Sequence, residues 1–388
     1  MASKMSTRRV THCVGSPTFA PAAAIEDRDA HCRALEALQA NDLEKAIKAW
    51  FNVPDRDDYV YHAMVSVQLA QVQRVVSVGG ANGLHAWYRG EQGGEPLPPP
   101  PQADIDGYVS IFQPDTLTAS ALKSFEANAK KGSIRLRVAA YLASKRFLHG
   151  SHPLRSQLAI PKTKKKAKTP TGSVPANPYF DFWAWSCRNL EWCGPVAEVQ
   201  PRSHHVLPVF MHHFGCAVPS HEALRLLKVL AQGRAVADVG SGNGYWAFML
   251  RSYGVTVVPI DSAQSEWRVT WVGDTVKADG AMWLRRNKEQ SKDMVLLMVY
   301  PIVGGGVAGG VEGGFTRDLL AAYQGDTVAV VGTQNHNGYT SFRGMAMDEF
   351  MQREHPDWTK VVQIPLPSFA GKDEALFVFQ RGESAGQT

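Results

Sequence analysis

The stretch DVGSGNGYW, Asp238 to Trp246, decides how this chain folds. It joins AVADV (Ala235 to Val239), an apolar run of strand length, to a helical pattern through three alternating glycines, Gly240, Gly242 and Gly244. Glycines so spaced let the backbone turn sharply and approach a ligand without Cβ interference, and the free N–H groups of the next helix point the same way. Ser241 and Asn243 sit between them, and Asp238 enters the turn just ahead. This is the form of a nucleotide-binding turn. A dinucleotide fold asks for G-x-G-x-x-G, whose third glycine falls where this chain has Tyr245. An acid entering the turn also suits a cationic or amine-bearing ligand better than a phosphate.

Working outward, Gly254 ends the helix, VTVVPI (Val255 to Ile260) reads as a short strand, and Asp261 stands at its carboxyl end. A carboxylate there can accept both hydroxyls of a ribose, which fits a nucleoside of either a nicotinamide or another cofactor. VKADGAMWL then puts Asp279 and Gly280 before a helix start, where the acid also reads as an ordinary N-cap. MVLLMVYP (Met294 to Pro301) and TVAVVGT (Thr327 to Thr333) are apolar runs suited to parallel strands covered on both faces. A helical stretch from about Met345 to Glu354 and two late strands, KVVQIPLP and ALFVFQR, complete the pattern.

Acid-x-Gly-x-Gly-x-Gly after a strand resembles the first motif of the class I S-adenosylmethionine-dependent methyltransferases. The resemblance covers about Pro219 to Arg381. It implies an α/β fold, a doubly wound and mostly parallel seven-stranded sheet in which one of the last two strands is inserted antiparallel. It also implies S-adenosylmethionine as cofactor, with Asp238 near its amino acid end, Asp261 on the ribose, and Asp279 near the adenine amino group, a role for which Asp274 competes. Gly240, Ser241, Gly242, Asn243, Gly244 and Gly280 would complete the cofactor site.

At 388 residues the chain exceeds one fold of this type, so a second, mostly helical N-terminal region is expected. The boundaries read as a disordered tail over 1–24, a helical domain with a proline-rich loop over 25–155, a basic linker over 156–176 and the sheet domain over 177–388. Helices are expected over Ile25 to Phe51 with a break at Asn41-Asp42, over Tyr59 to Val78, and over Leu117 to Leu148. Apolar content of 44% and charged content of 20% are those of a globular protein, and no apolar run is long enough to span a bilayer. Five cysteines without a CxxC pair suit free thiols in a reducing compartment, which points to the cytoplasm and to no metal site.

Charge is uneven. Between Glu126 and Asp181 there is no acid, yet twelve Lys and Arg residues are present, from Lys130 through Arg135, Arg137, Lys145 and Arg146 to Lys164, Lys165, Lys166 and Lys168. The block reads as a solvated linker, with a nuclear-import signal and a nucleic-acid contact as competing readings. The expected partner is a small-molecule acceptor, aromatic or hydroxylated, methylated on oxygen or nitrogen. An RNA or protein acceptor is the alternative, and a non-catalytic cofactor-binding scaffold is the third reading.

Ligands of open parallel sheets bind at the carboxyl ends of the strands. That places Tyr300-Pro301 and the loop QNHN (Gln334 to Asn337) near the chemistry. His336 is the first candidate for the acid or base, with His213, His212 and Tyr300 behind it. The fourth strand lacks the Asn-Pro-Pro-Tyr motif of the enzymes that methylate nucleobase and glutamine amines. PIVGGGVAGGVEGGF (Pro301 to Phe315) reads as a loop that could cover the site, and the aromatic-rich Asn177 to Gly194 and His204 to Gly215 as walls of an acceptor pocket.

Overall fold

A computed structural model describes residues 19–63, 65–79, 98–162, 174–195, 204–304 and 310–386. Its strands, in chain order, are β1 (Tyr61–His62), β2 (Ser66–Val67), β3 (Phe147–Leu148), β4 (Val236–Val239), β5 (Val257–Asp261), β6 (Val276–Lys277), β7 (Val295–Val299), β8 (Thr327–Thr333), β9 (Thr359–Pro365) and β10 (Glu374–Gln380). The main sheet has the order β3-β9-β10-β8-β7-β4-β5-β6. From β6 to β8 every pairing is parallel, and β10 lies antiparallel between β8 and β9. The α/β class, the mostly parallel sheet and the inserted antiparallel strand are as expected. The seven strands β4 to β10 are also as expected, and among the described residues β3 from the helical region adds an eighth, antiparallel to β9.

Strand side chains alternate between two cores, as the pleat requires. Val295 and Leu297 of β7 face one core, shared with the helices His221–Ala231 and Tyr245–Ser252. Leu296 and Met298 face the other, where Leu284, Leu319 and Phe350 project from the helices Gly280–Arg286, Gly314–Ala322 and Met347–Glu354. Covering on both faces is why these strands read as unbroken apolar runs.

The helical region joins the first of these cores. Phe51 lies 4.1 Å from the His213 ring and 5.2 Å from Phe214, and Tyr108 lies 5.7 Å from Trp183, centroid to centroid. Arg146 pairs with both oxygens of Glu222 at the start of the helix that precedes β4. Packing is therefore continuous across the expected boundary at residue 155.

Local readings fared unevenly. Asn41 adopts φ +56° and the Asp42 carboxylate accepts from Lys45 N–H at 2.9 Å, which separates the helices Arg28–Gln39 and Leu43–Phe51 at the expected place. The Ser220 hydroxyl caps the helix His221–Ala231, accepting from Ala223 N–H at 3.1 Å. Tyr59 to Val78 is not one helix. Buried Tyr61 and Val67 pair across a short hairpin with exposed His62 and Ser66 on its outer face, and only Leu69–Val78 is helical. Leu117 to Leu148 likewise divides into helices Thr118–Ala127 and Ile134–Lys145, the second capped by Ser133, followed by β3.

Candidate functional site

The turn after β4 forms the floor of a cleft at the carboxyl ends of the parallel strands. One lobe, about 320 Å³, is lined by Gly240, Ser241, Gly242 and Asn243 of the turn, by Asp261 after β5, and by Phe214 to Cys216, Trp267, Tyr300 and Phe315. A second lobe, sharing Gly240, Asp261 and Phe315 with the first, continues to Asp279 and Gly280. The structure thus brings the turn and two of the expected acids together along one trough.

The turn needs its glycines for both shape and space. Gly242 has φ +57°, and a Cβ there would sit 2.9 Å from the Trp267 indole. Gly240 has φ +76° and a Cβ there would meet Phe315 at 3.1 Å. Side chains in either position would strain the backbone and push the two aromatic walls outward.

Asp261 ties the turn to its neighbour strand. One carboxylate oxygen accepts from Gly242 N–H at 2.9 Å and the other from Ala263 N–H at 2.6 Å. Each oxygen can accept a further hydrogen bond, and Asp261 lines both lobes. Asp279 serves as the N-cap of the following helix, accepting from Met282 N–H at 2.8 Å, and lines the second lobe as well. Its N-cap reading therefore holds. Asp274 is among the lining residues of neither lobe and lies on the surface in a two-pronged pair with Arg251 at 2.7 and 2.8 Å.

Asp238 is fully buried beneath the turn and does not line the open cleft, and neither carboxylate oxygen has a hydrogen-bond partner. Burial, reinforced by nearby Asp261, pushes its carboxyl up to about 7, against the opposing pull of Arg251. The Ser241 hydroxyl and the Asn243 amide nitrogen are also buried without partners. Three buried polar groups without partners thus surround one glycine turn, where such groups are ordinarily hydrogen-bonded.

The expected catalytic residues separate. His336 projects from an exposed loop, its Nε2 meets the Glu349 carboxylate at 2.9 Å, and it is among the lining residues of neither lobe. Glu349 captures it because that carboxylate also reaches back to Ala346 N–H at the helix start beside the loop. His213 is wholly buried, with Nε2 3.1 Å from the Tyr61 hydroxyl, and burial holds its imidazole well below the ordinary value. His212 is engaged by the Tyr59 hydroxyl and the His62 carbonyl at 2.8 and 2.7 Å. Both histidines bind the helical region to the sheet domain. Among the described lining residues of the two lobes there is no histidine.

Tyr300 is where the sequence placed it, at the end of β7 and on the cleft wall. Its φ of +56° is a strained value for a bulky side chain, and it precedes a proline, which disfavours the helical alternative. A hydrogen bond from Tyr300 N–H to the Val331 carbonyl at 2.7 Å holds it there. Sequence reasoning missed Trp267, Phe315 and, behind Tyr300, Lys372, since none belongs to a motif. The described ends of the glycine-rich segment, Pro301, Ile302 and Phe315, do line the cleft, while residues 305–309 lie outside the described residues.

No family model and no curated protein matches the chain. Several solved structures overlap partly with it. An uncharacterized protein from Listeria monocytogenes serotype 4b is 15% identical over 40% of this chain and 67% of its own, with a TM-score of 0.27. A putative tRNA (m1A22) methyltransferase from Streptococcus pneumoniae, solved with S-adenosyl-L-methionine, is 15% identical over 40% and 72%, with a TM-score of 0.25. The 1,6-didemethyltoxoflavin-N1-methyltransferase of Burkholderia thailandensis is 11% identical over 40% and 77%, with a TM-score of 0.24. At these TM-scores the likeness is partial. The chain's own strand order and glycine turn define it as a mostly parallel α/β fold of Rossmann-like type.

Proposed function

We propose that this chain binds S-adenosylmethionine in the trough over the glycine turn and methylates a small acceptor in the lobe beside Tyr300. The observation that carries the reading is the coincidence of the glycine cradle, Asp261 and Asp279 along one cleft, with the unpartnered carboxylate of Asp238 beneath it. Asp261 would accept from the ribose hydroxyls and Asp279 would lie toward the adenine, while Asp238 would answer the cationic amino acid end. Gly240 to Gly244 would hold the backbone close, with Gly280 beside Asp279. When bound, the cofactor supplies a methyl group on a positively charged sulfur.

The protein's own part is positioning and the exclusion of water. Phe214, Trp246, Trp267 and Phe315 give the first lobe aromatic walls suited to a flat molecule. Of the four residues expected near the chemistry, His336, His213, His212 and Tyr300, only Tyr300 is on the cleft wall, where its hydroxyl would serve as a hydrogen-bond donor to the acceptor. A polyanionic acceptor has less support. Arg135 pairs with Asp104, Arg146 with Glu222, and Lys145 donates to the Gln334 carbonyl, so part of the basic block is used internally. Lys164, Lys165, Lys166 and Lys168 lie outside the described residues. Also among the described residues, no helix is long and apolar enough to cross a membrane and no group of three or more side chains could hold a metal ion.

Calorimetry with S-adenosylmethionine and with NADH tests the cofactor. Binding of NADH in its place would overturn the reading. Labelled cofactor incubated with cell extract, fractionated into small molecules, RNA and protein, then identifies the acceptor class by where the label appears.

A further inference from the structure

Behind Tyr300 lies a buried charge that the methyl-transfer reading does not yet use. Lys372 is 6% exposed, its Nζ donates to the Tyr300 hydroxyl at 3.0 Å, and it stands 4.8 Å from the Tyr300 ring centroid and 5.6 Å from that of Tyr339. Among the described residues it makes no ion pair within 4.0 Å. The nearby carboxylate is Glu374, two residues on, 1% exposed and with both oxygens unpartnered. A buried ammonium with a single hydroxyl partner is an unbalanced group, since such charges are ordinarily paired and fully hydrogen-bonded.

The Tyr300 hydroxyl connects this charge to the cleft. It accepts from Lys372, which leaves its own O–H free to donate, and Tyr300 forms part of the wall of the first lobe. Burial, together with Glu374, Cys216 and Tyr339, pushes the phenol well above its ordinary value, so Tyr300 is a donor and not a base at neutral pH. A donor backed by a positive charge is matched to a negatively charged oxygen, as in the sites that stabilise oxyanions. The strained backbone of Tyr300 belongs to the same device, because such strain persists where surrounding contacts over-determine it.

We propose that Tyr300 and Lys372 form an oxyanion site, and that the acceptor is a flat molecule bearing an acidic hydroxyl, a phenol or enol, bound with that oxygen ionised. This deepens the proposed function and rests on it for the methyl donor. An oxygen that arrives ionised has no proton to lose when it attacks. One O–C bond forms, one C–S bond breaks, and the charges of oxyanion and sulfonium cancel. That accounts for the lack of a histidine among the described residues that line the cleft. Lys372 is the positioning residue, acting through Tyr300.

The test uses 4-nitrophenol, whose phenolate absorbs in the visible, added to the full chain with S-adenosylhomocysteine at pH 6. The expected result is a bound probe whose phenolate-to-phenol ratio rises at least about tenfold over the free probe, equivalent to one pKa unit. Tyr300→Phe and Lys372→Met should each abolish the rise, and Lys372→Arg should keep part of it. Circular dichroism and S-adenosylhomocysteine calorimetry on each variant report folding independently. If Lys372→Met does not fold, Tyr300→Phe and Lys372→Arg decide the matter. The proposal is overturned if the probe does not bind at millimolar concentration, binds neutral, or keeps its full phenolate band in a folded Tyr300→Phe or Lys372→Met variant. No calorimetric heat with S-adenosylhomocysteine, with the band intact, would instead overturn the cofactor reading and leave the oxyanion site standing.

Discussion

The two ends of the cleft are built from different kinds of sequence. At the glycine-turn end, Asp238 to Gly244 are consecutive, and Asp261 reaches Gly242 because parallel pairing of β4 and β5 sets the end of one strand beside the start of the other's turn. At the Tyr300 end, the participants come from distant parts of the chain: Cys216 ahead of β4, Tyr300 after β7, Lys372 from the corner between β9 and β10, and Glu374 at the start of β10. The first end is a local motif that a reader of sequence can find. The second exists only once the antiparallel β10 has folded back between β8 and β9.

The contrast makes separable predictions. Tyr300→Phe should have the largest effect, lowering kcat by roughly 10² to 10³, the usual result of removing one donor from an oxyanion site. Cofactor affinity measured by calorimetry should stay within error, and a matching loss of affinity would merge the two ends. Asp261→Ala should do the converse, weakening S-adenosylmethionine by roughly 1.5 to 3 kcal/mol, the range for hydrogen bonds to a charged group. Unchanged affinity in that variant would remove Asp261 from the cofactor site.

A subtler test concerns Asp238. Its carboxyl lies near 7 in the folded chain against 3.8 unperturbed, so the stability it contributes is complete below the lower value and is lost as pH rises through the higher one. Thermal melts of the ligand-free protein should therefore show Tm falling between pH 5 and pH 8. Asp238→Asn should flatten that slope by roughly 2 to 4 °C for each kcal/mol of linkage removed. An identical slope in the variant would mean that the buried carboxyl is not what titrates.

The smallest effect belongs to His336. As an exposed side chain paired with Glu349, it should tolerate alanine with stability and turnover changed by no more than about 0.5 kcal/mol, which is the ordinary scale for surface substitutions. A loss of turnover comparable to that of Tyr300→Phe would return His336 to the reaction and imply that its loop closes over the cleft.

The sequence by itself determined the turn, the parallel strands, the helix break at Asn41-Asp42, and the placement of Asp261 at the end of β5 and of Asp279 at a helix start. Each of these follows from short-range rules: backbone freedom at glycine, side-chain oxygens capping nearby N–H groups, and apolar runs long enough for a covered strand. The tertiary structure decided what distance in sequence conceals. It withdrew His213 into the core and His336 to the surface, converted Tyr61 and Val67 from an expected helix into a hairpin, and added β3 to the sheet. It also set Lys372 against Tyr300, two residues that no spacing rule links. Periodicity tells which face of an element is buried but not which element covers it, and a side chain becomes functional only when its covering partners leave it facing a cavity.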